Sequence, residues 1–259
     1  QDLYNALRRL GFLYQIRLFR KLVEADSVGA FLIHGYPEYG QSWLLNRLVT
    51  QYVSYFLSGK VIKVRASCRV RKNDASSMWR EVARNVGLRG KSFTQAEIAQ
   101  QVGKCLQSQN VLLIFHTVNV LPEETLVELF DTFWLPLVEQ ARAEAEIKAA
   151  AGQEACKLLM VLVDYEGCVE DWSVPFAEAV STPLDPAVPI KSPMISEFSS
   201  EELLGWIDRE YDNLPTALTE GADDVVASIL DGSDDGVPEL VMDMICDHCG
   251  CSWHKESEK

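Results

Sequence analysis

The feature that most constrains the fold of this chain is the segment 31–48, Phe-Leu-Ile-His-Gly-Tyr-Pro-Glu-Tyr-Gly-Gln-Ser-Trp-Leu-Leu-Asn-Arg-Leu. An apolar run ends at Gly35, a loop continues to Gly40, and Gln41 and Ser42 open an amphipathic helix. A short apolar strand that turns directly into a helix is typical of a parallel sheet covered by helices. We therefore expect the rest of the chain to alternate strands with helices.

The loop in this segment has the spacing of the phosphate-binding pattern Gly-x-x-x-x-Gly-Lys-Ser/Thr. Three positions of the pattern are filled as expected: Gly35, Gly40 and Ser42. Gln41, however, stands where the lysine belongs, so the phosphates would meet no positive charge. Pro37 removes one N–H donor and Glu38 adds a carboxylate to the loop itself. We interpret residues 35–42 as a degenerate phosphate loop, and we predict no cofactor.

Apolar runs and helical periodicity predict the remaining elements. Strands are expected near 29–34, 61–66, 110–116, 157–164 and, weakened by Pro193, 190–195. Helices are expected over 2–24, from the loop to about 57, and over 78–86, 94–107 and 123–150. Thr94 with Glu97 predicts a capping box, and Pro136 predicts a kink or split in the last of these helices.

These elements predict an α/β fold, a P-loop NTPase-like three-layer sandwich with a mainly parallel five-stranded sheet and an N-terminal amphipathic helix. The composition changes after residue 196 to capped helices and acidic turns. We therefore predict two domains, 1–196 as a degenerate P-loop NTPase-like α/β domain and 197–259 as an acidic helical extension packed on it.

A working P-loop NTPase also needs a carboxylate at a strand end to support Mg²⁺. The third predicted strand ends in Phe115-His116 without one, whereas the fourth ends in Asp164. A weak NTPase that uses Asp164 is therefore an alternative to an inactive site. If the fourth strand lies between the first and the third, His34, His116 and Asp164 meet at the carboxyl edge of the sheet. Such residues suit a metal or acid–base triad, but a hydrogen-bonded polar cluster is the preferred interpretation.

The C-terminus carries a second group of potential ligands: Cys246, His248, Cys249, Cys251 and His254. The Cys-x-x-Cys spacing is one that zinc sites use, but a second cysteine pair at the usual distance is absent. The preceding residues 238–245 are typical of an apolar helix face that the cysteines extend. We predict no metal site and keep zinc as the alternative.

The net charge of −14 is unevenly distributed along the chain. Residues 1–90 hold 15 Lys and Arg against 6 Asp and Glu, whereas residues 91–259 hold 9 against 32. Because the acidic part repels nucleic acid, we expect the basic part to dock on the acidic half or on a partner domain. Seven cysteines, an odd number, together with the lack of a signal peptide or a membrane-length apolar run, predict a cytoplasmic location away from membranes. Because the sequence begins at Gln1, we expect a piece of a longer polypeptide.

With these residues in view, the chain resembles the catalytically inactive bacterial branch of the STAND class of signal-transducing P-loop ATPases. The resemblance rests on the segment 30–35, on Gly40-Gln-Ser-Trp and the residues up to Leu48, on the segment 111–116, and on 195–207. It implies a non-enzymatic regulatory or scaffold module in bacterial signalling or defence. The implied partners are effector-associated adaptor domains or effector domains in the same or another protein. A nucleotide-binding switch without efficient hydrolysis is the alternative. Active STAND proteins continue into a winged helix, so the short acidic C-terminal part departs from their pattern.

Overall fold

A computed structural model of the protein describes residues 2–65, 76–90 and 93–251. Its α-helices are α1 Asp2–Leu7, α2 Leu13–Ala25, α3 Gln41–Arg47, α4 Ser76–Asn85, α5 Gln95–Leu106, α6 Glu123–Glu128, α7 Leu135–Ala150, α8 Ser200–Glu210, α9 Thr216–Thr219, α10 Ala222–Asp231 and α11 Pro238–His248. Its strands are β1 Val28–His34, β2 Lys60–Arg65, β3 Val111–His116, β4 Leu158–Asp164 and β5 Ile190–Lys191. No helix in the described ranges is long and apolar enough to cross a membrane.

The chain forms two compact units, each made of separate stretches of sequence. The larger unit contains Tyr14–His34 and Leu48–Met194, and the smaller contains Gln1–Leu13, Gly35–Arg47 and Ile195–Lys259. The smaller unit thus combines the first helix, the degenerate phosphate loop and the C-terminal helices. The division into domains 1–196 and 197–259 stays a prediction.

The larger unit is built on a parallel sheet with strand order β2-β3-β4-β1-β5. The predicted five-stranded sheet is therefore confirmed, with β4 between β1 and β3. β5 is only two residues long because it ends just before Ser192 and Pro193, and proline cannot donate to a ladder.

Both faces of this sheet are covered, which explains why β1 and β4 are buried at every position. On one face, alternate strand residues such as Leu32 and Phe115 join a core with side chains from α4, α5, α6 and α7. On the other face α2 lies against β1, where the Phe19 and Phe31 rings meet edge to face with centroids 5.1 Å apart.

Several predicted helices are confirmed with changes in detail. The Thr94 side chain accepts a hydrogen bond from Glu97 N–H in the expected capping box. The break predicted at Pro136 takes the form of a π-helical turn, Leu129–Trp134, that leads from α6 into α7. A widened turn accommodates the proline, which has no N–H and whose ring would clash in a regular turn. The helix expected up to about residue 57 instead ends as α3, a π-helical turn and a short 3₁₀ turn.

The single N-terminal helix predicted over 2–24 is wrong, because the chain breaks into α1 and α2. Gly11 and Phe12 both have left-handed backbone conformations, with φ of 65° and 60°. A side chain at Gly11 would come within 2.2 Å of the Phe198 ring, so the turn fits only glycine.

The smaller unit joins α1 to the C-terminal helices. The Trp206 indole donates to the Ala6 carbonyl at 2.9 Å. The Arg9 guanidinium donates to both Glu210 carboxylate oxygens, at 2.6 and 2.5 Å. A bidentate pair of this kind fixes orientation as well as distance, and it ties the end of the first segment to α8.

Candidate functional site

The degenerate phosphate loop runs from Gly35, directly after β1, to the first residues of α3. Its tip is exposed at Tyr36, Pro37 and Glu38, while Gly35 and Gly40 are buried. The Tyr39 N–H donates to the Tyr36 carbonyl at 3.2 Å, which closes a tight turn. Glu38 and Gly40 have φ of 68° and 79°, so the turn uses left-handed conformations at two positions.

Gln41, the first residue of α3, is completely buried at the centre of this loop. Its Nε2 donates to the carbonyl of Gly35 at 2.7 Å and to that of Tyr36 at 2.8 Å. Both contacts are to acceptors, so the amide orientation is determined. Oε1 therefore points elsewhere, and it has no partner in the described part of the chain. The loop is bridged from within by a neutral group that carries no charge for an anion.

The two glycines of the loop lie close to other side chains of the smaller unit. A Cβ at Gly40 would lie 3.1 Å from Phe12 Cζ, and one at Gly35 would lie 3.2 Å from Gln41 Nε2. The left-handed φ of Gly40 favours glycine there without reference to a ligand, and Gly35 is in tight contact with the chain itself. Ser42 lies on the exposed side of the first turn of α3.

Further contacts hold the loop and α3 inside the smaller unit. The Glu239 N–H at the start of α11 donates to the Glu38 carbonyl at 3.0 Å. The Tyr39 hydroxyl donates to the Glu197 carboxylate, and this hydrogen bond raises the pKa of Tyr39 to about 12. The same bond lowers the pKa of Glu197. The loop is thus tied to the C-terminal segment at both its tip and its end.

At the far end of α3, Arg47 is a buried cation that satisfies backbone acceptors. Its Nη1 donates to the carbonyls of Leu10 and Gly11, at 2.9 and 3.0 Å. These are the carbonyls at the break between α1 and α2, which a helix would otherwise have used. Arg47 therefore stabilises the turn that the sequence analysis did not predict.

Asp164, at the carboxyl end of the central strand β4, is buried and accepts three hydrogen bonds from backbone N–H groups. Oδ1 accepts from the N–H groups of Glu166 and Gly167, at 2.8 and 3.0 Å. Oδ2 accepts from the N–H of Val169 at 2.8 Å. The carboxylate organises the loop that follows its own strand.

The other two members of the predicted strand-edge cluster have separate partners. His34 is registered with Asp164, and its Nε2 donates to the Ser192 carbonyl at 2.7 Å. His116 is registered with Val163, one position earlier, so its side chain leaves the sheet on the opposite face from Asp164. His116 Nδ1 hydrogen-bonds the Tyr165 hydroxyl at 3.1 Å. In the described ranges, none of His34, His116 and Asp164 bonds another.

The electrostatics of the two histidines also differ. Burial lowers the pKa of His116, and the charges of Arg65 and Lys63 lower it further. His34 Nδ1 lies 3.9 Å from a carboxylate oxygen of Glu170, which also contacts the Lys191 ammonium at 3.3 Å. The carboxyl edge of the sheet thus holds charges of both signs.

The sequence model of the inactive STAND family, iSTAND, matches residues 7–163. This match includes β1, the degenerate phosphate loop, α3 and every strand through β4 except the last residue. The chain belongs to the inactive STAND family. Its membership confirms the resemblance drawn from the loop and its flanking residues.

Two solved structures illustrate the wider likeness of this inactive STAND chain. The ORC1 protein of Aeropyrum pernix, solved in complex with DNA, has 12% sequence identity and a TM-score of 0.49 over 99% of this chain and 60% of that chain. Cdc6p from Pyrobaculum aerophilum has 13% identity and a TM-score of 0.46 over 85% of this chain and 60% of that chain. The chain therefore spans about 60% of the length of these structures. No curated protein sequence matches it.

The cysteine group of the inactive STAND chain lies at the end of α11. Cys246 is buried, Cys249 half-buried and Cys251 exposed. Burial raises the pKa of Cys249 to about 11, and burial together with a hydrogen bond to Cys251 raises that of Cys246. In the metal-free protein these environments favour the protonated form of both thiols.

Among the residues that the structure describes, no group of three or more Cys, His, Asp or Glu side chains is arranged to hold a metal ion. His248 is exposed in the last turn of α11, and the fifth predicted ligand, His254, lies outside the described residues.

Sequence reasoning missed the residues that surround the degenerate phosphate loop, namely Phe12, Arg47, Glu197 and Glu239. They come from parts of the chain far apart in sequence, and no local pattern links them. One available signal was Gly11, whose position inside an apparent helix marked the break next to Phe12.

Proposed function

We propose that this inactive STAND chain is a non-catalytic regulatory or scaffold module in bacterial signalling or defence, which acts through protein–protein contacts. The observation that carries the proposal is the buried Gln41 amide, whose Nε2 bridges the Gly35 and Tyr36 carbonyls. A P-loop needs a cation at this position to hold the phosphates. Here a neutral side chain of the protein satisfies the loop instead.

The energetic consequence supports loss of nucleotide chemistry. A charge-assisted contact is worth about 1.5–3 kcal/mol, and the lysine and the β3 carboxylate are two such contacts. Their joint absence removes roughly 3–6 kcal/mol, which corresponds to about two to four powers of ten in affinity. Hydrolysis requires a positioned Mg²⁺ and water in addition to binding, so we expect no turnover.

The alternative is a nucleotide-binding switch, or a weak NTPase that uses Asp164. The observation in its favour is that Gly35, Gly40 and Ser42 keep the loop spacing, and that Asp164 ends the central strand. Against it, the Asp164 carboxylate already accepts three backbone N–H groups and is fully buried. Neither Gln41 nor Asp164 fits the role that a Mg²⁺-nucleotide would require of it.

The proposed partners are effector-associated adaptor domains or effector domains, in the same polypeptide or another. The tip of the degenerate phosphate loop supports a role in contacts, because Tyr36, Pro37 and Glu38 are exposed while the residues that flank them are held in place. An ordered, exposed turn can present an aromatic ring at little entropic cost.

Calorimetric titration with Mg·ATP and with Mg·GTP tests the proposal. We expect no binding tighter than about 100 μM for the wild-type chain, and a tighter constant for either nucleotide would overturn the proposal in favour of a binding switch. We also expect that Gln41→Lys alone does not restore phosphate release. Gln153→Lys, which adds the same charge at an exposed site, is the matched control.

A further inference from the structure

The C-terminal end of α11 is a Schellman motif, a helix ending in which two backbone hydrogen bonds close around a left-handed residue. Gly250 supplies the left-handed conformation, with φ of 65°. Its N–H donates to the Asp247 carbonyl at 3.0 Å, and the Cys251 N–H donates to the Cys246 carbonyl at 2.9 Å. The second hydrogen bond brings Cys251 back over the last turn of the helix, next to Cys246.

The side chains at the two ends of this second hydrogen bond are both cysteines. In a Schellman motif these two positions often carry apolar side chains that touch each other. Here the thiol groups of Cys246 and Cys251 hydrogen-bond each other. A reduced cysteine behaves as a small hydrophobe, so the pair closes the helix end as other small apolar residues would. What two thiols add is the capacity to form a covalent bond with each other.

The two thiols differ in their access to solvent. Cys246 is only 4% exposed, whereas Cys251 is the exposed one among the six cysteines that the structure describes. Cysteine is one of the residue types most often buried, so packing does not account for a cysteine at this exposed position. Burial and the hydrogen bond raise the pKa of Cys246, which therefore stays protonated and donates its S–H to the Cys251 sulfur. Cys251 is thus the thiol of this pair that a reagent reaches first.

We propose that Cys246 and Cys251 form a reversible oxidation site for low-molecular-weight disulfides such as oxidised glutathione. The Cys251 thiolate attacks one sulfur of the reagent, whose S–S bond breaks and releases one small thiol. Cys246 then attacks the Cys251 sulfur of this mixed disulfide and expels the second small thiol, which takes up the Cys246 proton. Two protein thiols are thereby oxidised to one disulfide bond, and one reagent disulfide is reduced to two thiols.

The bond locks the C-terminal end of α11 in its Schellman form. The opposite end of the same helix contacts the degenerate phosphate loop, because the Glu239 N–H donates to the Glu38 carbonyl at 3.0 Å. The oxidation site therefore lies on the helix that holds the tip of the loop. In a reducing compartment disulfides are usually transient and serve catalysis or redox sensing. This inference is independent of the proposed loss of nucleotide binding.

Oxidation of the full chain in glutathione buffers of varied ratio, followed by alkylation of the free thiols and mass spectrometry, tests the proposal. We expect a disulfide between Cys246 and Cys251 that forms when oxidised glutathione is in excess and that dithiothreitol reverses. Cys251→Ser and Cys246→Ala should each abolish it. The matched control Cys249→Ser removes the third thiol of this helix end and should leave the bond intact. Circular dichroism confirms that each variant is folded.

Two results of this experiment would overturn the proposal. One is a chain in which Cys246 and Cys251 both remain open to alkylation when oxidised glutathione is in excess. The other is a bond that uses Cys249 in place of either partner.

Amide hydrogen exchange measures the effect of the bond on the helix end. The N–H groups of Cys249, Gly250 and Cys251 close the last turn, so their exchange should slow about tenfold or more on oxidation, because the cross-link restricts opening of the turn. Exchange that stays the same although the bond forms would overturn the assignment of a lock. Titration of the reduced chain with Zn²⁺ tests the zinc alternative. Binding tighter than about 1 μM that is lost in Cys251→Ser would assign these thiols to a metal ion instead.

Discussion

Replacing Asp164 by asparagine separates a structural carboxylate from one reserved for a metal ion. Asparagine keeps one oxygen, which can still accept from Glu166 and Gly167, but its NH₂ group then faces the Val169 N–H. A buried donor left without an acceptor costs about 1–3 kcal/mol, and the two remaining bonds lose their charge assistance. We therefore expect Asp164→Asn to lower the free energy of unfolding by about 2–4 kcal/mol.

Urea denaturation followed by circular dichroism measures this loss, and the melting temperature should fall by about 2–4 °C for each kcal/mol. The matched control is Asp171→Asn, an exposed carboxylate seven residues further on, which should change the stability by less than about 0.5 kcal/mol. A carboxylate whose only role is to bind Mg²⁺ does not contribute to the free energy of unfolding of the metal-free protein. An Asp164→Asn variant as stable as the wild type, or more stable, would therefore refute the assignment of Asp164 as the organiser of its loop.

Three further predictions test the contacts around the loop and the helix ends. The hydrogen bond from Arg9 lowers the pKa of Glu210 in the folded protein. The ion pair therefore stabilises the fold fully at pH values above the ordinary carboxyl pKa of about 4.3. This stabilisation is lost as the pH falls through the lowered pKa of Glu210 in the folded protein. In urea denaturation at pH 7, Arg9→Ala should lower the free energy of unfolding by about 1–2 kcal/mol, and this difference from the wild type should shrink in strong acid. A difference that does not depend on pH would argue against the ion pair. In an ultraviolet titration Tyr39 should ionise with a pKa of about 12, and Glu197→Gln should bring that pKa down towards 10, the ordinary value; no change would mean that the hydroxyl does not donate to this carboxylate. Thr94→Ala should lower the unfolding free energy by about 1 kcal/mol through loss of the α5 cap, and a neutral result in thermal melting would contradict the capping box.

The sheet was predictable because its signals are local. Runs such as Leu158–Asp164 are apolar at nearly every position. A short run of this kind is typical of a strand that is buried on both faces of a sheet. The capping box at Thr94 and the disturbance at Pro136 also depend on residues a few positions apart. These features are predictable because the residues that cause them lie within a few positions of the structure that they produce.

For the candidate site, the sequence predicts which residues are present but not how they are arranged. The sequence shows that Gln41 replaces a cation, but not that its amide would bridge two carbonyls of its own loop. His116 was expected beside Asp164, and a register one residue earlier places its side chain on the other face. Such details depend on strand register and on distant segments such as the one around Phe12, which no local pattern encodes.

The position of β4 in the middle of the sheet has a consequence for how the chain is made. Val28 pairs with Leu158, about 130 residues later in the chain. β1 and β3 do not pair with each other, because β4 lies between them in the sheet. At a synthesis rate of about 5–20 residues per second, β1 is synthesised roughly 7–26 s before its partner strand β4. During this time its seven apolar or uncharged residues have no sheet to join. Folding of this unit is therefore dominated by long-range pairing and is expected to be slow, and the interval before β4 emerges is when the nascent chain is most exposed to aggregation.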